Sequence, residues 1–250
     1  MNILNKFSSI VSFSIALLLW EWSSGEILPG PVSVFKTLCF LLTDDHFHKD
    51  VLYSLMRLFI GFTIGSILGI IIGTAIGYFE IIRNLLFPVI KFVITIPKIA
   101  FLPLFIILLG IGEQSKITII TLGVFFPVLM VTFSSVQRVP KVFIEAAACC
   151  GSGPARTLRV VIVPYALPNI INSGLRLGIS LGLVLLVASE MIASKYGLGN
   201  FIYYTGNDLL LDKMLAGILV LGTIGLILNK IIDFSHTYFC GWSLESEGKN

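Results

Sequence analysis

Residues 58–79, between Arg57 and Glu80, carry no charged side chain. A helix needs about 20 such residues to cross the hydrocarbon core of a bilayer. Inside that core the backbone must satisfy its own polar groups, which leaves an apolar run little choice but to form a helix. Five further runs are mostly apolar, with at most two charged residues each: 7–22, 86–110, 117–136, 168–192 and 214–232. The expected fold class is therefore all-α, a polytopic membrane protein with six transmembrane helices in a single transmembrane domain over 1–250. Composition agrees. Only 12% of the residues are charged and mean hydropathy is +0.97, whereas soluble domains are about one quarter charged. The net charge of +3 contains no basic run, which argues against a nucleic-acid partner and leaves the lipid bilayer as the expected surroundings.

The first run resembles a secretory signal. No small-residue cleavage site follows it, and it ends in Trp20, Glu21 and Trp22, so it reads as an uncleaved span with an interfacial aromatic anchor. Residues 23–54 are more polar. They contain LPGPVSVF, then Asp44, Asp45, His46, His48 and Asp50. VSVFKTLCFLL within them is too short to cross and is expected to lie on the bilayer or on the bundle. Cys39, Cys149, Cys150 and Cys240 show no CxxC or zinc-ligand spacing and read as small apolar residues of a reducing compartment.

Inside the second run Gly61, Gly65, Gly69, Gly73 and Gly77 recur every four residues. Glycine lets helices approach closely where lipid gives no hydrophobic drive to associate. A four-residue step overshoots the 3.6-residue turn, so the row winds slowly around its helix. It predicts a crossed, close contact with one or more neighbours, serving helix packing alone or a sliding surface beside a translocation path.

The third run holds Pro88, Pro97 and Pro103, with Lys91 and Lys98. Proline removes a backbone donor, and a membrane tolerates the loss only where protein or a water-filled cavity satisfies the freed carbonyl. Pro97, Lys98 and Pro103 are thus candidates for lining a pathway. A lysine within a span has a partner or a purpose, or it snorkels to the interface. Glu190 joins these candidates from the end of the fifth run. Arg176 precedes it by fourteen residues, roughly 21 Å along a helix, so the two cannot pair within their span.

Six crossings put both termini on one side, together with Arg83, Arg138, Lys141, Arg156 and Arg159. Asp44, Asp45, Asp50, Glu113, Asp208 and Asp212 fall on the other. By the positive-inside rule the segment 138–164 and both termini are cytoplasmic. VFIEAAACC favours a helix, Gly151, Ser152 and Gly153 break it, and Pro154 suits the first turn of another. The expectation is helix, tight turn, helix, ending at Pro164 and Pro168. An alanine-smooth face of this kind suits a groove on another protein, and nothing in it resembles a catalytic constellation.

This segment resembles the EAA motif of ABC-importer permeases. Glu145-Ala146-Ala147 is followed by Ala148, Cys149, Cys150 and Gly151, and the motif's tail falls on Val161-Ile162-Val163-Pro164. Val161 and Val163 depart conservatively from the motif; the cysteine pair and Pro154 depart further. LPGPVSVF, FPVIKFVITIPKIAFLPLFIILLGIGEQSKI, FFPVLMVTFSSVQRVP, ASEMIASKYGLGNFI and DKMLAGILVLGTIGLILNKII are similar, in order, to segments of the nitrate/sulfonate/taurine-type permeases. The resemblance implies a second permease subunit, in a homodimer, a cytoplasmic ABC ATPase dimer docking on the EAA loop, and an extracytoplasmic solute-binding protein, all at a bacterial inner membrane. It also implies that Glu145, Ala146, Ala147, Gly151 and Pro164 form the docking element. The cargo would be a small solute resembling nitrate, a sulfonate, taurine or a thiamine precursor. No GxxxxGK[ST] phosphate loop is present, so the chain is expected to be a transport subunit and not an enzyme. No cofactor and no metal site is expected. The alternative class is an ion-coupled secondary transporter or channel, which calls for mid-membrane ion-coupling residues and usually an inverted repeat.

Overall fold

The computed structural model describes residues 11–12, 14–15, 18–25 and 28–241. Part of the predicted first span, 7–22, lies outside the described residues; those described within it, 11–12, 14–15 and 18–22, are helical. Every element among the described residues is a helix or a turn. Four helices are long and apolar enough to cross a membrane, and a pair of helices bent by 95° is long and apolar enough when taken together.

Helix α1 (Pro31–Leu41) opens with proline at a position that needs no amide donor. It lies on the end of the bundle, burying Val34 and Leu41 with Phe47, Leu198 and Ala216. Helix α2 (Asp45–Tyr78) begins well before the predicted 58–79, because Asp44 caps it by accepting from His46 N at 2.9 Å. Asp45, His46, His48 and Asp50 of the polar stretch therefore lie in its first turns. Glu80–Thr95 forms α3, a short 3-10 turn covers Lys98–Phe101, and α4 is Leu102–Leu109. Helix α5 is Glu113–Gln137 and α6 is Lys141–Cys149. Helix α7 runs over Pro154–Ile192, α8 over Leu198–Asn207 and α9 over Leu211–Phe239.

The contact between α2 and α5 organises the bundle. A Cβ on Gly61, Gly65, Gly69, Gly73 or Gly77 would lie 2.7–3.0 Å from atoms of Ile120, Val124, Val128, Thr132 and Val136 respectively. Each partner's number is the glycine's plus 59, so the helices are parallel. Both rows step by four residues and drift together, so one glycine row serves one neighbour instead of several. The facing side chains are all β-branched, stiff at χ1, and form a ridge that the glycine groove accepts. Gln137 Nε2 closes the far end on Gly77 O at 2.6 Å.

A parallel pair requires the intervening chain to return across the membrane. The segment 80–109 must do so, which makes its bent pair one crossing. Helix α7 runs antiparallel to α5: a Cβ on Gly178 would meet Val128 and Val124, and one on Gly182 would meet Val124 and Ile120. Leu58, Ile119, Ile120, Val124, Val128, Leu185 and Leu186 fill the centre of the three-helix contact. Helix α9 packs on α7 through Ile171, Ile179 and Ile232, with Arg176 of α7 donating to Asp233. Pro164 and Pro168 do not end a helix here. They lie inside α7, flanked by wider π-type turns at Leu158–Ile162 and Ile170–Leu175. Such turns absorb the missing amide donors without breaking the rod.

Gly65→Val is expected to cost about 3 kcal/mol, as overpacking does where the obstructing atom is backbone; here that atom is Thr121 O, 2.7 Å from the added Cβ. Gly222→Ala, with nothing within 4 Å, serves as the neutral control. Detergent melting curves that shifted equally for both variants would remove the α2–α5 contact from its organising role.

Candidate functional site

Three features could carry function: a buried ionic cluster at one end of the bundle, a cavity at its mid-depth, and an exposed turn at the other end.

Asp50, Ser54 and Arg57 follow one another at spacings of four and three on one face of α2, directly before Gly61. Arg57 is 1% exposed. Its Nε and Nη2 donate to the two oxygens of Glu113 at 2.5 and 2.7 Å. Its Nη1 donates to Glu190 Oε1 and to Tyr196 O, both at 2.7 Å. Lys116, one turn beyond Glu113 on α5 and also buried, donates to Glu113 Oε1 at 3.1 Å. Ser54 Oγ donates to Glu190 at 2.8 Å, and Gly199 N donates to the same carboxylate at 2.8 Å. Asp50 receives Gly197 N at 2.8 Å. Gly197 is required: its φ is +136° and a Cβ would lie 2.5 Å from the Glu190 carboxyl carbon. Arg57 and Lys116 balance Glu113 and Glu190, the third carboxylate, Asp50, lies 3.7 Å from His46 Nδ1, and hydrogen bonds satisfy the oxygens that burial strips of water. The cluster ties α2, α5, α7 and the turn 194–199 together. Among the described residues no group of three or more His, Cys, Asp or Glu is placed to hold a metal ion.

The mid-depth cavity, about 510 Å³, lies where the third crossing breaks. The break residues Ile94–Ile99, Gly123, Phe126 and Pro127 of α5, and Leu181, Val184, Leu185 and Ala188 of α7 line it. Pro97 and Lys98 are thus brought together at the wall of one cavity. Pro103 lies near the start of α4 and is not in that wall. Glu190 is not there either. It is fully buried in the ionic cluster, where its charge is neutralised by Arg57.

At the far end α6 stops in a Schellman turn. Ser152 N donates to Ala147 O at 3.0 Å and Gly151 N to Ala148 O at 2.9 Å, with Gly151 at φ +74°. A Cβ there meets nothing within 4 Å, so backbone conformation alone demands glycine. A concavity of about 560 Å³ opens beside the turn, walled by Phe143, Ala146, Ala147, Cys150, Arg156, Val161, Pro164 and Tyr165 among others. Glu145 is exposed on the next face. Cys149 and Cys150 are free and exposed; Cys240 is buried, and burial pushes its thiol pKa up.

A family described as binding-protein-dependent transport system inner membrane component matches residues 65–240. The chain belongs to that family. This permease is similar to the taurine transport system permease protein TauC of Escherichia coli, 36% identical over 88% of this chain and 84% of the relative. It is also 31% identical to the putative aliphatic sulfonates transport permease protein SsuC of Bacillus subtilis, over 94% of this chain and 87% of that one. In fold it is similar to a chain of the MetNI methionine ABC transporter in an inward-facing conformation. The TM-score is 0.67 at 20% identity, over 81% of this chain and 98% of the other. The permease is thus the membrane-spanning subunit of an ABC transporter, of the nitrate, sulfonate and taurine type.

Sequence reasoning missed Arg57, Glu113, Lys116, Ser54 and Asp50. Arg57 served only to mark the edge of an apolar run. The Asp50–Ser54–Arg57–Gly61 spacing, which continues the glycine face outward, was the signal for it. Arg57→Met strands Glu190 without its cation, and removing one partner of a buried pair costs about 3–5 kcal/mol. The expected outcome is a large drop in detergent melting temperature; an exposed Glu80→Gln control leaves it unchanged.

Proposed function

We propose that this permease subunit imports a small solute and takes its energy from a separate cytoplasmic ABC ATPase that docks on residues 138–164. The carrying observation is the exposed Schellman turn after α6. It fixes a short helix and a concavity containing Ala146, Ala147 and Pro164, while Glu145 stays free to meet a partner. Gly151 supplies the one backbone conformation that joins them. The cations Arg138, Lys141, Arg156 and Arg159 cluster at this end, which supports a cytoplasmic orientation for the turn and for both termini, at a bacterial inner membrane. The mid-depth cavity beside Pro97 and Lys98 is the candidate pathway segment. A second copy of the subunit, as a homodimer, would complete the path. An extracytoplasmic solute-binding protein would deliver the cargo, a solute resembling nitrate, a sulfonate, taurine or a thiamine precursor. The whole chain would act as one transmembrane domain. Coupling then consists of a population shift between inward-open and outward-open arrangements, biased by the nucleotide state of the partner.

Gly151→Val and Glu145→Lys are expected to insert normally, to lose copurification with the ATPase and to abolish solute-stimulated ATP hydrolysis. Reconstituted complexes of both variants that hydrolyse ATP and transport like the parent would refute the docking role.

A further inference from the structure

Lys98 stands at mid-membrane depth. Its Nζ lies 4.7 Å from the centre of the Phe126 ring, and Phe126 sits between Val124 and Val128, the residues that face Gly65 and Gly69 near the middle of the uncharged run 58–79. A cation at this depth must be satisfied by protein. The Lys98 ammonium donates to Val93 O at 2.9 Å, Ile94 O at 2.9 Å and Ile96 O at 2.7 Å. An ammonium has three donors, and three carbonyls engage them. These are the carbonyls at the end of α3, where helical donors run out. The amide four residues on from Val93 O belongs to Pro97, which has none, so the backbone reaches that carbonyl only through Ile96 N at 3.2 Å.

We propose that Lys98 is a tethered cation that caps the broken span from within. It is a positioning residue that holds the 95° bend and spends its hydrogen bonds on backbone, leaving none for the solute. Half-helix ends with unwound carbonyls at the bilayer midplane are where ion-coupled carriers bind a free cation. Here the chain supplies its own ammonium, which the negative end of the α3 dipole and the face of Phe126 also favour. The cap is permanent, so the bend needs no ion from solution. The accessible remainder of the cavity wall is almost wholly apolar, from Ile94, Ile99, Phe126, Leu181 and Val184, and it meets the uncharged part of whatever passes.

The test is chemical rescue. Lys98→Ala empties a cage of three carbonyls and a ring face that methylammonium fits. The purified variant is expected to melt at lower temperature than the parent, and methylammonium is expected to raise that temperature saturably while leaving the parent unmoved. Tetramethylammonium, equally charged but without N–H, is expected to do nothing. In the complex assembled with its ATPase, turnover falls about tenfold, as for a lost charge-assisted hydrogen-bond set, and methylammonium recovers most of it. Lys98→Met fills the cage without a donor and is expected to resist rescue. If Lys98→Ala accumulates poorly, methylammonium in the growth medium is expected to restore it. An unchanged melting temperature, equal effects of the two amines, or no recovery in any arm overturns the proposal. The melting shift is read on the permease alone, so its failure is distinct from a failure of the docking proposal.

Discussion

The bundle depends on two backbones being able to touch. Lipid gives apolar helices no reason to associate, so what holds α2 to α5 is contact area, and contact area requires a groove. The glycine row provides it and the β-branched row of Ile120, Val124, Val128, Thr132 and Val136 fills it. The constant offset between the rows fixes direction and depth together. Direction makes α2 and α5 parallel and forces 80–109 to recross. Depth locates the Pro97 break level with Gly65 and Gly69 of α2, and so locates the cavity.

The charged residues divide by end. Arg57, Glu113, Lys116 and Glu190 neutralise one another in a buried cluster, joined to the turn 194–199 by Gly197 and Gly199. Buried pairs of this kind give modest net stability but make alternative arrangements costly, since any slip between α2, α5 and α7 exposes an uncompensated charge. The other end keeps its cations apart. Arg138, Lys141, Arg156 and Arg159 stand around a turn whose shape is set by one positive-φ glycine and two backbone hydrogen bonds. One end is locked by electrostatics, and the other is shaped by backbone and left open.

Much of this was legible in the sequence, and the limits are physical. Apolar runs gave the crossings because hydrocarbon leaves backbone few alternatives. The glycine spacing announced a close contact but not the neighbour, since a groove carries no record of its ridge until the matching four-residue row from Ile120 to Val136 is noticed. Helix ends were misjudged where packing outlasts apolarity: α2 starts at Asp45 because the cluster buries Asp50 and Arg57. Pro164 and Pro168 looked like stops because an isolated helix cannot lose two donors, whereas π-type turns within a packed bundle absorb them. Glu190 drew notice as an intramembrane charge, but its partner lay far away in sequence, on another helix. Lys98 was recognisable as a cation needing a purpose; that its purpose is met by its own backbone required three distances.

Helix α7 has a mechanical meaning beyond its role in packing. Its 39 residues span roughly 58 Å at 1.5 Å per residue, from the turn after α6 to the ionic cluster at Glu190. It is a connecting rod, clamped at the cluster and free at the turn. Its two π-type turns are the places where the hydrogen-bond ladder is loosest, one close to the free end and the other halfway along the rod. A load applied at the turn therefore bends the rod at these joints before it strains the clamp, and the joints set how much of any push reaches the cavity wall at Leu181 and Val184.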